Sequence, residues 1–463
     1  MPQYLSPGVY VEEVPSAVKP IAGVSTSTAG FIGVVPDSLD QPLARLTNVV
    51  IAKGDGAITV FNLPVYPIDV GNSQVKEDGG SMATLTNDDA NKVSKATFAS
   101  APASGSKVTA SILPSFAPVA AGTPKLCTNF GEFKKFFGDF SSDQNHSYLA
   151  QAVYGYFNNG GSRCYVMRVA AEGDIPKFLI NLEAIDEISI VAAPGLAQDD
   201  TTGKNTRTEL ISHCAVKTQT RFAIFDSAQM EETSGSLDLT LLDPHNAANK
   251  LPPTTDYAAF YFPWIQVFDP VSKGPVYMPP SGHVAGIYAR VDNDRGVHKA
   301  PANEPVLGAL DLKYTLSKSQ QDGLNPQGVN CIRNLNGNLT VWGARTMGGD
   351  ANADLKYINV RRTLIFLRKS IDEGTQWVVF EPNEPGLWQK ITRNITAFLT
   401  NVWRSGALFG TTAQEAFYVK CDAEINPPES RDLGQVITEI GVAIVRPAEF
   451  VIFRISQFTA PSK

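Results

Sequence analysis

The chain has 463 residues, of which 43% are hydrophobic and 18% are charged, and its formal net charge is -7. This length allows roughly two to four globular domains, and the composition allows them to bury a sizeable core. A negative chain without a long basic run argues against a nucleic-acid-binding protein, so we expect no nucleic-acid partner.

The five cysteines are far apart in the sequence and form no C-x-x-C pair. Their odd number and wide spacing favour free thiols over a zinc site or a disulfide framework, as expected in a reducing compartment. The first residues, Met1–Pro7, lack the basic and apolar regions of a signal peptide, so we expect no Sec export. No convincing run of about 20 apolar residues occurs, so no membrane insertion is predicted.

A short β-prone segment lies close to the N-terminus. Val9–Val14 is bracketed by Pro7-Gly8 and Pro15, which is typical of a strand. The residues that follow, Ser16–Gly30, are mostly small and polar, and they predict a flexible linker. A strand on such a linker can lie far from its own domain.

Residues 46–125 differ in composition from the segments on either side. Thr28–Val35 is predicted as a strand, and short β-prone pieces follow it, among them Val49–Ala52, Ala57–Phe61 and Lys107–Leu113. Turn clusters rich in Gly, Asp and Asn separate these pieces. We therefore predict a small all-β domain, inserted at an exposed position between the first strand and the rest.

Strands and helices alternate between Cys127 and Gly296, which predicts an α/β core. Helices are predicted at Phe130–Phe137, Asp143–Asn159, Thr208–Thr218 and from Ser281, and strands at Arg163–Val169, Glu187–Ala193, Arg221–Asp226 and Asp256–Phe268. Pro263 predicts a break partway along the last of these strands.

A second α+β unit is predicted in the C-terminal part of the chain. Its strands are expected at Asn330–Leu335, Leu339–Gly343, Thr375–Phe380, Ala416–Lys420 and Val436–Val445, and its helices at Tyr357–Ile371 and Glu384–Leu408. The last helix has the clearest amphipathic pattern. We expect an inward face of Trp388, Ile391, Ile395, Leu399, Val402 and Trp403 and an outward face of Lys390, Arg393, Asn394 and Arg404.

The chain ends in a strand-like segment, Phe450–Phe458, whose two faces are both largely apolar. A bare terminal strand is an open edge that pairs readily with another chain, although it can also be the last core strand of an ordinary domain. The β-prone segment at the other terminus favours a subunit that joins its neighbours by strand addition. The residues predicted to be exchanged are Val9, Tyr10, Val11, Glu12, Val14, Phe450, Val451, Ile452, Phe453 and Ile455.

The sequence contains no recognisable catalytic or metal-binding motif. G-x-x-x-x-G-K-[ST], H-E-x-x-H and G-x-S-x-G are missing, and the five histidines are scattered. Asp226, Asp269, Asp292 and Asp294 lie near predicted strand or helix ends, where turns and caps explain them. We therefore expect no enzyme, no cofactor and no metal site.

A series of short segments, in order over nearly the whole chain, carries a family resemblance. They are Tyr4–Val14, Gly23–Gly33, Tyr154–Arg168, Ile188–Gly195, Tyr261–Trp264, Pro279–Gly286, Val297–Glu304, Asn330–Arg333, Trp342–Thr346, Tyr357–Arg362 and Arg446–Val451. Together they resemble the contractile tail sheath family of myophages, R-type pyocins and phage-derived injection systems. The predicted insert is the part without a match.

This resemblance implies a structural subunit that polymerises helically around an inner tube and contracts to drive the tube through a target envelope. Its partners would be further copies of the chain in stacked hexameric rings, an inner tube protein, and baseplate and terminal cap proteins. The particle would be a virion tail or a phage-tail-like device assembled in the bacterial cytoplasm. Both terminal arms would complete a β-sheet shared with neighbours, and Lys390, Arg393 and Arg404 are candidate tube contacts.

The predicted fold is an α/β (α+β) core of two units with an inserted small all-β domain and extended N- and C-terminal β-strand arms. The boundaries are 1–27 for the N-terminal arm and linker, 28–45 and 126–327 for the sheath core, 46–125 for the insert, 328–446 for the C-terminal α+β domain, and 447–463 for the C-terminal arm. Two other classes stay open: an α/β hydrolase-like enzyme with an inserted β domain, and a monomeric surface adhesin.

Overall fold

A computed structural model describes residues 20–39, 45–88, 90–196, 201–229, 239–242 and 255–454. The chain divides into two units, which are named here by their size. The small unit comprises residues 1–24 and 366–445, and the large unit comprises residues 25–365 and 446–463.

The strands and helices of both units are numbered in chain order. The strands are β1 (Ala29–Val34), β2 (Leu46–Lys53), β3 (Val60–Asn62), β4 (Gln74–Glu77), β5 (Thr84–Asp88), β6 (Val93–Thr97), β7 (Lys107–Ile112), β8 (Lys125–Cys127), β9 (Cys164–Val169), β10 (Ile190–Ala192), β11 (Phe222–Asp226), β12 (Ala258–Phe262), β13 (Ile265–Asp269), β14 (Gly274–Met278), β15 (Glu304–Pro305), β16 (Asp311–Leu312), β17 (Val329–Leu335), β18 (Asn338–Val341), β19 (Phe417–Lys420) and β20 (Glu439–Val442). The α-helices are α1 (Phe130–Phe137), α2 (Gln144–Asn158), α3 (Ile175–Glu183), α4 (Thr201–Ser212), α5 (Ser281–Arg295), α6 (Lys318–Leu324), α7 (Ile358–Gly374), α8 (Pro385–Arg404), α9 (Ala413–Ala416) and α10 (Pro428–Asp432).

A nine-stranded sheet organises the large unit, in the order β15-β18-β17-β12-β11-β10-β1-β9-β8. Its central strands, from β17 to β9, are parallel, and β18, β15 and β8 add antiparallel edges. Every residue of β11 and β12 is buried. Such continuous apolar runs are typical of parallel strands covered on both faces. Helices α2 and α5 contribute to the core on one face, and α3 and α4 to the core on the other.

Smaller sheets surround this core. Within the large unit, β14-β13-β16 form one three-stranded sheet, while β2-β7-β4 and β3-β6-β5 form two more. The last two sheets enclose a separate apolar cluster that includes Val75, Ala96, Val108 and Ile112. The structure is therefore a mixed α/β fold with several sheets, as predicted. The separate insert over residues 46–125 stays a prediction.

Two local predictions have clear outcomes. The break at Pro263 is confirmed, because the apolar run is divided into β12 and β13 at the cis Phe262–Pro263 bond. The strand predicted at Thr375–Phe380 is wrong. Helix α7 continues to Gly374, and Gln376–Val378 forms a 3-10 turn. Since no described strand pairs with this segment, its β-prone composition does not decide its structure.

Candidate assembly interface

The C-terminal segment presents four consecutive apolar side chains to solvent. Phe450, Val451, Ile452 and Phe453 are between 68% and 84% exposed and belong to no helix or strand. They form no hydrogen bond with other described residues. Contiguous exposed apolar surface of this kind marks an interaction site in soluble proteins. Ile455, the fifth residue predicted for exchange at this end, lies outside the described residues.

The predicted N-terminal strand, with Val9, Tyr10, Val11, Glu12 and Val14, also lies outside the described residues. The described chain begins at Pro20, and Ile21 is already buried in the core of the small unit. The Val24 N–H donates to Ser370 Oγ at 3.1 Å, and Thr26 is held inside the large unit by hydrogen bonds. The flexible linker predicted for Ser16–Gly30 is therefore wrong from residue 20 onward. Its small side chains permit close packing there.

The small unit contains a two-stranded antiparallel sheet of β19 and β20. After β20 the chain runs alongside residues 407–409. The Phe409 N–H donates to the Ala443 carbonyl at 2.7 Å, and the Ala443 N–H donates to the Ala416 carbonyl. Because the N–H and C=O of one strand residue point to the same side, both contacts use one edge of the strand. The opposite edge pairs with no described strand, so it can accept an added strand.

The side chains along this segment are incompletely covered. Ile440, Val442 and Ile444 are all half-buried, although each is β-branched and apolar. An added strand would cover them and satisfy the open edge at the same time. Among the described residues, the small unit thus has an unpaired strand edge, and the C-terminal segment has an exposed apolar run that is not part of a strand.

Helix α8 carries the three predicted tube contacts. Lys390, Arg393 and Arg404 are all exposed, and none of them forms an ion pair with another described residue. At about 100° per residue they fall within one narrow stripe of the helix surface. The helix contains no Asp or Glu, so this stripe is purely cationic.

One residue of the predicted outward face of α8 lies inward. Asn394 is buried together with Ile391, Ile395 and Phe398. These positions follow the i, i+3, i+4, i+7 spacing of a buried helix face, and Asn394 occupies its second place. The buried face is therefore wider than the apolar residues alone indicate. The predicted inward residues Trp388, Leu399 and Val402 are buried, and Trp403 is half-buried.

The four aspartates considered as candidate acids do not converge. Asp226 is buried and accepts hydrogen bonds from the Ser281 N–H and Oγ at 2.7 and 2.6 Å. Burial raises its pKa to about 7, against the lowering effect of Ser281. Asp269 accepts from the backbone N–H groups of a turn, Asp292 pairs with an arginine, and Asp294 is exposed. Asp226, Asp269 and Asp292 therefore have local structural roles, and Asp294 is a solvent-exposed residue of α5.

The described residues contain neither a metal-ligand cluster nor a membrane-spanning helix. No cluster of three or more His, Cys, Asp or Glu side chains there could hold a metal ion. Among the same residues, no helix combines the length and apolar character needed to cross a bilayer.

Sequence profiles of two domains match this chain. The profile of the phage tail sheath protein central domain matches residues 171–347, and that of the phage tail sheath C-terminal domain matches residues 350–458. The two matches together cover more than half of the chain.

Curated relatives are similar over part of the chain. The tail sheath protein of Burkholderia phage BcepMu is 26% identical over 204 residues, which are 42% of this chain and 42% of that protein. The tail sheath protein of Vibrio phage KVP40 is 26% identical over 230 residues, 48% of this chain and 33% of that protein. The aligned region thus spans less than half of the length of these relatives.

Solved structures are similar over nearly the whole chain. The helical sheath of the anti-feeding prophage in its contracted state is 25% identical, with a TM-score of 0.65, and the match covers 97% of this chain and 99% of that chain. The contracted sheath complex of the extracellular contractile injection system PVC is 24% identical, with a TM-score of 0.64 and 99% of both chains covered. At 24% identity, the match to the PVC sheath shows that the two chains share a fold.

The homologues and structural neighbours are contractile sheath proteins of phage tails and contractile injection systems. The resemblance found in the sequence is thereby confirmed. The profile matches, the relatives and the fold agree that this chain belongs to the phage tail sheath protein family.

Proposed function

We propose that this chain is the structural subunit of a contractile tail sheath, which polymerises helically around an inner tube and contracts to drive that tube through a target envelope. The observation that carries the proposal is the exposed apolar run Phe450–Phe453, which finds no partner strand among the described residues. Family membership supports it. The enzyme and adhesin alternatives have no comparable support.

Polymerisation would use strand exchange. The segments Val9–Val14 and Phe450–Phe458 would each add to a sheet of a neighbouring copy, and the open edge beside Ile440–Ile444 in the small unit is the proposed acceptor. A donated strand of this length adds roughly four hydrogen bonds on each edge, each worth about 1 kcal/mol. Burial of its apolar side chains adds about 25 cal/mol for each Å² removed from water.

The cationic stripe of α8 would contact the inner tube. Lys390, Arg393 and Arg404 are positioned to meet an acidic surface, because no acid on their own helix neutralises them. Electrostatic complementarity of this kind mainly sets the orientation and the rate of association.

The finer assembly is also proposed from the family. The copies would form stacked hexameric rings, closed by baseplate and terminal cap proteins, in a virion tail or phage-tail-like particle assembled in the bacterial cytoplasm. Residues 46–125 would form an inserted surface domain. They lie outside both matched profiles, as do all residues before 171.

Negative-stain electron microscopy of the purified full-length chain tests the proposal. We expect ribbed tubes, whereas particles alone would favour an enzyme or an adhesin. Deletion of residues 1–15 or of residues 447–463 should leave a soluble monomer. Regular tubes formed by either deletion variant would show that the deleted arm is not an exchanged strand.

A substitution pair gives a matched control for the deletions. Ile452→Asp together with Phe453→Asp should prevent tube formation, since a charge cannot enter the buried face of an added strand. Ile58→Asp together with Met82→Asp changes two exposed apolar residues of the proposed insert and should leave the tubes intact. If both pairs behave alike, the effect is not specific to strand exchange.

A further inference from the structure

Glu449, the residue directly before the exposed apolar run, is held by four hydrogen bonds. Arg345 donates from Nε to Oε1 at 2.8 Å and from Nη2 to Oε2 at 2.9 Å. Asn325 Nδ2 donates to Oε1 at 2.8 Å, and the Tyr357 hydroxyl donates to Oε2 at 2.9 Å. We call this group of four residues the Glu449 clamp.

Burial of the C-terminal segment ends at Glu449, and the next residue is exposed. The Glu449 side chain is 19% exposed and the Arg345 side chain is 4% exposed, whereas Phe450 is 70% exposed. On the other side of Glu449, the Arg446–Asp354 ion pair is long, at 3.7 Å, and largely exposed. Glu449 is therefore where the described C-terminal segment is attached to the large unit.

Arg345 is itself fixed to the central sheet. Its backbone N–H donates to Asn330 Oδ1 at 2.7 Å, and Asn330 Nδ2 donates to the carbonyls of Arg345 and Phe260. Asn330 lies in β17 and Phe260 in the neighbouring β12. A bidentate guanidinium–carboxylate pair on such a rigid base fixes direction as well as distance.

The protonation states support a permanent clamp at neutral pH. Burial raises the pKa of Glu449, but the hydrogen bonds from Arg345, Asn325 and Tyr357 lower it by more. The pKa of Glu449 is therefore below its usual value. Burial and the hydrogen bond to Glu449 raise the pKa of Tyr357 to about 12. The carboxylate is thus charged, and the tyrosine keeps the proton that it donates.

We propose that Glu449 is the positioning residue of the C-terminal arm, which fixes the point and direction in which the exchanged strand leaves the large unit. The inference rests on the proposed strand exchange. A force that a neighbouring copy exerts on the strand would be transmitted through Arg345 to β17 and β12. Without the clamp, the arm would be attached several residues earlier, and ordering these residues would oppose each exchange.

The test uses the full-length chain with Glu449→Ala, and with Tyr357→Phe as a milder variant that removes one donor. Sedimentation gives the lowest concentration at which tubes form, and we expect Glu449→Ala to raise it about tenfold or more. Glu304→Ala is the matched control, because Glu304 is also a partly buried carboxylate of the large unit, 22% exposed and paired with Lys299.

A second readout separates positioning from stability. A spin label on Val451→Cys, in a Cys421→Ser background, reports the mobility of the arm in the unassembled chain. We expect greater mobility of the label in Glu449→Ala, whereas the Glu304→Ala control should leave the label as in the parent chain. A merely structural role would lower Tm in Glu449→Ala and Tyr357→Phe without changing the label, and would overturn the proposal.

Two outcomes distinguish a wrong role of Glu449 from a wrong assignment of strand exchange. If Glu449→Ala assembles at the parent concentration while deletion of residues 447–463 abolishes assembly, strand exchange stands and the clamp is overturned. If the deletion variant still forms tubes, strand exchange itself is wrong and the clamp has no strand to position.

Discussion

Arg362 and Asp292 form a buried ion pair in the large unit. The guanidinium donates from Nη1 to Oδ1 at 2.9 Å and from Nη2 to Oδ2 at 2.5 Å, and the side chains are only 4% and 3% exposed. Thr26 joins the pair, because its hydroxyl donates to Asp292 at 2.6 Å and its carbonyl accepts from Arg362 at 3.0 Å. The pair therefore secures the first residues of the large unit to α5 and α7.

Asp292→Asn should lower the free energy of unfolding by about 3 kcal/mol, because it leaves a buried guanidinium without its counter-charge. Urea denaturation of the unassembled chain measures this. Glu187→Gln is the control, since it breaks the exposed Arg163–Glu187 pair and should cost less than about 1 kcal/mol. Equal losses in the two variants would contradict a special role for the buried pair.

Elements whose signals are local could be predicted from the sequence. Helix α1 has the predicted bounds, and α2 begins after Asp143, whose carboxylate accepts from the His146 N–H at 2.8 Å. Amphipathic spacing and capping act within one or two turns, so a short window of sequence contains them.

Features that depend on tertiary packing could not be predicted in this way. Ile21 lies in a run that resembles a linker, yet it packs against Gly374 and is buried. The Glu449 clamp joins residues that are 104 positions apart in the chain. Arg345 and Glu449 both lie in segments that resemble the family, but no local pattern shows that they are paired.

Gly282 allows α5 to approach α2 closely. A Cβ atom at this position would lie 2.2 Å from Ala152 Cα, which belongs to the backbone of α2. Gly282→Ala should therefore force the helices apart and destabilise the fold by about 1–3 kcal/mol. Thermal unfolding of the unassembled chain gives the comparison.

Gly323→Ala is the matched control for this prediction. Gly323 is also helical, in α6, but a Cβ atom there would meet nothing within 4 Å. Alanine should stabilise that helix by about 0.5–1 kcal/mol, through its better helix propensity. The prediction fails if the two alanine variants shift Tm in the same direction.

The cationic stripe of α8 predicts a salt-sensitive contact. Lys390→Glu together with Arg393→Glu should weaken co-sedimentation with the inner tube protein and leave Tm unchanged, since both residues are exposed. The association of the parent chain should also fall with rising ionic strength. Arg368→Glu, an exposed charge reversal on α7, is the control. Undiminished association of the double variant would exclude α8 as the tube contact.

The raised pKa of Asp226 predicts that the free energy of unfolding depends on pH. Because burial raises its pKa to about 7, the folded chain retains a proton that the unfolded chain releases above about pH 4. Its contribution to the unfolding free energy must therefore fall as the pH rises from 4 to 7, by at most about 1.4 kcal/mol per pH unit. Asp226→Asn removes this slope, since asparagine does not titrate.

The measurement is the difference in unfolding free energy between Asp226→Asn and the parent chain at several pH values from 4 to 8. Asparagine can accept from the Ser281 N–H and donate to its hydroxyl, so the capping contacts are retained. The variant should gain stability relative to the parent as the pH rises, and a constant difference would show that Asp226 is ionised throughout.

Asp269→Asn provides a control of opposite sign. Burial raises the pKa of Asp269, but hydrogen bonds from Ser272 and Val271 outweigh it, so the net shift is downward. An acid whose pKa is lowered by folding stabilises the protein above its unfolded pKa and loses that contribution as the pH falls. The deficit of Asp269→Asn should therefore shrink as the pH falls below about 4, whereas the relative gain of Asp226→Asn grows between about pH 4 and pH 7. Parallel pH profiles of the two variants would mean that burial and hydrogen bonding do not control these two carboxyl groups as the geometry indicates.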